Sequence, residues 1–132
     1  MSLIWMVVLT LKDGRCIRKG YKMTRMNDVK KIISTLISNN KIDFCHDDWS
    51  ADYKQDWDDE FSKDLRLAFD DVEKLIAGVE NNDDVLSLGA LTMARIRFLT
   101  LSDYFLNIHE DLEKMLVIYR DKNIEIPKDY KY

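Results

Sequence analysis

The sequence predicts an α+β domain in which an N-terminal β-hairpin, as a small antiparallel sheet, packs with a short helix on a long antiparallel αα-hairpin. Three observations predict it. Asp13-Gly14 lies between two apolar-rich runs, "IWMVVLTLK" and "RCIRKGYKM", which is the strongest short-range signature of a two-residue hairpin turn. Leu91, Ala94, Phe98, Leu101, Phe105, Ile108, Leu112, Met115 and Tyr119 recur at spacings of three and four, the period of a helix face. Phe61, Leu65, Ala68, Val72, Leu75 and Val79 do the same. The turn sequence "ENNDD" at 80–84 lies between these two patterns.

Taken in order, the hairpin occupies 3–23, with strands at about 3–12 and 15–23. The first strand is apolar on both faces, so it needs cover on both. A lone hairpin is marginal in water, and "KIDF" at 41–44, "NIEI" at 123–126 or a second copy of the chain is expected to add a third strand. A helix follows at 26–38, capped by Thr24 or Asn27, with Met26, Val29, Ile32, Ile33, Leu36 and Ile37 on one face. An acidic segment and helix fill 48–80. The long helix runs 85–121, roughly 50 Å at about 1.5 Å per residue, and Pro127, the single proline, follows it. At 132 residues this is one domain.

Charge is distributed unevenly. Residues 1–42 hold nine Lys/Arg against two acids, and residues 43–84 hold four against fifteen. A segment at −11 repels nucleic acid and anionic membrane and attracts a basic surface. Within it, "DWSADYKQDWDDEFSKDLRL" sets an acid before a large apolar residue every fourth position. On one helix Asp48, Asp52, Asp56 and Glu60 would repel at i,i+4, at about 0.2–0.5 kcal/mol per contact. Trp49, Tyr53 and Trp57 would coil beside them, ahead of the heptad seam. Such a surface is either a solvated acidic face bordering the core or a docking site. In a docking site Asp52, Asp56, Asp58, Asp59 and Glu60 steer a basic partner, and Trp49, Tyr53 and Trp57 anchor it.

Patterns that would name a reaction are missing. Cys45 and His46 stand beside acids without a second Cys/His pair at zinc spacing. "HEDLE" at 109–113 ends in Glu where a zincin needs His, and "DWDDE" at 56–60 has Phe61 where a calcium loop needs Gly. The four glycines are too dispersed for a phosphate loop. No catalytic residue, metal or cofactor is expected. Lys12, Arg15, Arg18, Lys19, Lys22 and Arg25 would track phosphates, but only Trp5 and Tyr21 accompany them for stacking, so nucleic acid is disfavoured. No apolar run reads as a membrane span or signal peptide, and two cysteines suit a reducing compartment, so the expected location is cytoplasmic.

In size, in "DDWSADYKQDWDDEF", in the Asp-Gly hairpin and in its Lys/Asn/Ile/Asp-rich composition, the chain resembles the small acidic immunity proteins of bacterial contact-dependent and other polymorphic toxin systems. The resemblance implies a non-enzymatic inhibitor that blocks a basic, nuclease-type toxin. Two other expectations stand beside it: a phage-encoded, DNA-mimic-like inhibitor with the same surface, and a structural protein that assembles as a homodimer.

Overall fold

In a computed structural model, which describes residues 25–132, the chain forms three helices: α1 (Met26–Asn39), α2 (Trp57–Glu80) and α3 (Asp84–Arg120). A short 3-10 turn, His46–Asp48, interrupts the segment between α1 and α2. Among the described residues there is no strand, so the architecture seen is all-helical, and this corrects the α+β expectation. The predicted hairpin at 3–23 lies outside the described residues. Neither candidate third strand is one. At 41–44 the chain leaves α1 and joins the core locally: the Ile42 amide bonds back to the Ile37 carbonyl at 3.2 Å. Phe44 meets His46 and Tyr53 edge-on. At 123–126, Ile124 and Ile126 trail exposed beyond α3.

Helix ends follow from their caps. Asp56 and Asp83 accept the amides of Asp59 and Leu86 at the starts of α2 and α3, satisfying donors that the helix leaves free. The α2–α3 turn closes with Asn82 left-handed (φ 52°), its amide on Val79 and the Asp83 amide on Gly78 at 2.8 Å. That is the Schellman arrangement, and Asn tolerates this φ. Lys41 occupies the same conformation (φ 55°) after α1.

The α2–α3 hairpin is a heptad pair, and the residues it buries differ from those predicted. The α3 column Ala94, Leu101, Ile108 and Met115 is buried as expected. Its second column is Ala90, Arg97, Tyr104 and Asp111, one position before Leu91, Phe98, Phe105 and Leu112, which lie exposed. Small residues and polar pairs accompany the rotation. Ala68 and Gly78 of α2 are buried in the seam, as are Ala90 and Ala94 of α3. A Cβ on Gly78 would stand 2.9 Å from the Ser87 amide nitrogen. Toward the turn the helices come this close, and the seam there is lined by small side chains. The polar seam members are partnered: Arg97 Nε meets Asp71 Oδ2 at 3.2 Å, and the Tyr104 hydroxyl donates to the Trp57 carbonyl.

Beyond the hairpin, α1 and the 40–56 segment pack at one end only. Ile33, Ile37, Trp49, Trp57, Ile108 and Met115 form the buried cluster there. The molecule, over its described residues, is a head with a two-helix stalk. Within the stalk α3 contains an 18-residue window of mean hydropathy 1.3, of which 17% is buried. By length and composition alone this window is long and apolar enough to cross a membrane, a test that the core helix of a soluble protein also passes.

Candidate functional site

The acidic-aromatic segment is a loop leading into a helix start, and Asp111 organises it. This carboxylate is 1% exposed. It accepts the Ser50 amide at 2.8 Å, the Ala51 amide at 3.0 Å and the Tyr53 hydroxyl at 2.7 Å. The chain turns through residues 50–55 around this carboxylate, and the helix predicted from 48 starts instead at Trp57. Asp52 supports the loop by accepting the Lys54 amide through its side chain, an Asx-type turn. Its carbonyl receives the Trp57 indole N–H at 2.8 Å.

Each predicted site residue has a defined place. Trp49 and Trp57 are 6% and 1% exposed and belong to the head core. Lys114 lies 4.4 Å over the Trp49 ring and donates to the Asp48 carbonyl, while the buried Trp49 indole nitrogen has no partner among the described residues. Tyr53 is half-buried between Phe44 and Trp57. Asp56 and Asp58 join the N-termini of two helices. Asp58 accepts the Met26 amide at 2.7 Å; Asp56 accepts the Asn27 amide group, whose oxygen takes the Trp57 amide at 2.9 Å. Both helix starts carry partial positive charge, which these carboxylates offset. Asp48, Asp52 and Asp59 remain exposed and Glu60 partly so. The carboxylates expected to steer thus stay near the surface, while the two tryptophans expected to anchor face inward.

Ionisation follows the same geometry. Burial, the Asp111 hydrogen bond and the Asp111 charge push the Tyr53 phenol far above its ordinary 10.0. Burial and then the charges of Asp58, Glu60, Asp64 and Asp56 do the same to Tyr104. The Asn27 hydrogen bond, followed by the Asp59 amide, holds the Asp56 carboxyl below its usual 3.8. A groove of about 170 Å³ between Asp52, Glu60, Asp64 and Tyr104 is acidic. Among the described residues no three His, Cys, Asp or Glu side chains converge to hold a metal ion. Cys45 is a free, exposed thiol.

A second surface was not singled out from the sequence. In both helices of the stalk a large apolar column follows the buried seam by one position: Leu65, Val72 and Val79 in α2, and Leu91, Phe98, Phe105 and Leu112 in α3. In an antiparallel pair the positions that follow the seam fall on the same side of both helices. Phe61 meeting Phe105 with ring centroids 5.5 Å apart is consistent with this. Phe69 and Ile76 widen the face on α2. Compared with protein-family models, with curated proteins and with solved structures, the chain matches none. The site is therefore read from its own chemistry, and that chemistry is apolar contact.

Proposed function

We propose that the protein is a non-enzymatic assembly module, in which the head holds two long helices so that the apolar face of the stalk engages another protein surface. One observation carries this reading. Phe69, Ile76, Val79, Leu91, Phe98, Phe105 and Leu112 lie on that face, each between 43% and 64% exposed. Exposed apolar patches of this extent mark interaction sites. The inhibitor reading keeps its carboxylates but has Trp49 and Trp57 committed to the core, so the assembly reading fits the geometry better.

The test places a photoreactive side chain at Phe98 and, as a control, at the exposed Asp70 on another face of α2. A protein adduct in the producing cell from position 98 and none from position 70 is expected. No protein adduct from position 98 would end this reading.

A further inference from the structure

Building on the assembly reading, we infer that the partner on the stalk face is a second copy of this chain, packed hairpin on hairpin as a four-helix layer. Three features lead to it.

The first is period. Each stalk helix carries an open apolar column beside its closed seam, and α3 also exposes Met93, Ile96, Leu99 and Leu106 on its remaining faces. Knobs on a 3.5-residue repeat are received by holes on a surface of the same repeat, and the open face of this chain is such a surface. Because α2 and α3 run antiparallel, a two-fold operation sets antiparallel helices across the interface, as in helical bundles.

The second is extent. Phe69, Ile76, Val79, Leu91, Phe98 and Phe105 leave roughly half of each side chain uncovered. Aromatic side chains such as Phe bury about 150–250 Å² apiece, and aliphatic ones less. With Leu88, Leu112 and the half-buried Leu65 and Val72, the face approaches the roughly 800 Å² per partner of a standard interface.

The third is charge. Arg95 is the one formal charge among these positions in the distal stalk, and the exposed rim on α2 mixes Arg66 with Glu73 and Glu80. A face so nearly neutral neither selects a strongly basic or acidic partner nor raises a like-charge barrier against its own copy. Glu80, Asp83 and Asp84 at the stalk tip disfavour an anionic lipid surface.

Sedimentation of the full chain across a roughly hundredfold range of concentration tests the inference. A mass rising to twice the 15.6 kDa of one chain is expected. Leu91→Glu with Phe98→Glu should weaken association roughly a hundredfold or more, since each places a charge at the centre of the contact. Helical circular dichroism should stay unchanged, because both positions are exposed in the protomer. Phe98→Leu, which keeps the apolar knob, should still dimerise and guards against a folding artefact. A wild-type monomer throughout, or a dimer that survives both glutamates, overturns the inference.

The photoreactive residue at position 98 separates the two levels of the argument. An adduct at dimer mass, mapping to α2 or α3 of another copy, is the expected product. An adduct with a different protein overturns the second copy but leaves the assembly reading standing. An adduct only to lipid, or only within the same chain, removes both.

Discussion

Asp111 shows how one buried charge decides the course of eight residues. Its carboxylate collects two backbone amides and a phenol, so Asp111→Ala strands three donors in the head. At about 1–3 kcal/mol per stranded buried donor, partly relieved by water, the variant should lose about 3 kcal/mol of stability in urea unfolding, and Asp111→Asn less. Tyr53 and Tyr104 give a pH signature of the same packing. Their folded values lie above the unfolded 10.0, so their contribution is complete below pH 10 and fades as pH rises beyond it. Alkaline titration should show these two phenols ionising above the ordinary 10.0, with stability falling above pH 10. Titration of both at the ordinary 10.0 would contradict the buried geometry. Asp56 has the opposite sign: its folded value lies below 3.8, so the cap is intact above that pH and lost as pH falls through the folded value. Lys41, left-handed at the end of α1, stores backbone strain. Lys41→Gly should raise the urea midpoint, by about 0.5–1 kcal/mol of stability.

Among the elements, α3 separates what the sequence made legible from what it hid. The bounds of the three helices were visible to within a residue or so at most ends, because heptads and caps mark them locally. The shared column Ala94, Leu101, Ile108 and Met115 was visible too. The other half of the seam was not, since hydrophobicity ranks Leu91, Phe98 and Phe105 above Ala90, Arg97 and Tyr104. Close approach near the turn favours Ala90, and polar partners on α2, Asp71 and the Trp57 carbonyl, draw Arg97 and Tyr104 into the seam. The signals were the small residues Ala68, Gly78, Ala90 and Ala94 and the polar residues at seam positions. The acidic stripe misled for a related reason. Its four-residue spacing resembles a helix, and only the distant Asp111, with Trp49 and Trp57 turned inward, makes its first half a loop. Gly78→Ala tests the close approach. Alanine is the better helix former by about 1 kcal/mol, yet its Cβ would meet backbone of Ser87 at 2.9 Å. A net loss of about 1–2 kcal/mol in urea unfolding is expected. A stabilised variant would mean that the helices stand farther apart.

For the molecule as a whole, the uneven division between head and stalk governs how it should come apart. Ile33, Ile37, Trp57 and Met115 are almost fully enclosed in the head, whereas the distal stalk has a narrow seam of small residues and the Asp71–Arg97 pair. Local stability follows enclosed apolar contact, so at low protein concentration the stalk should open before the head. Two probes see these parts separately. Trp49 and Trp57 both report on the head, and with Trp5→Phe as background no third indole contributes. Helical circular dichroism is dominated by α2 and α3, with 24 and 37 residues. In dilute solution the dichroism should therefore begin to fall at a lower urea concentration than the fluorescence changes. Raising protein concentration should draw the two curves together, because hairpin-on-hairpin packing protects the stalk by mass action and leaves the head as it was. Coincident curves in dilute solution would show instead that the head and stalk form one cooperative unit.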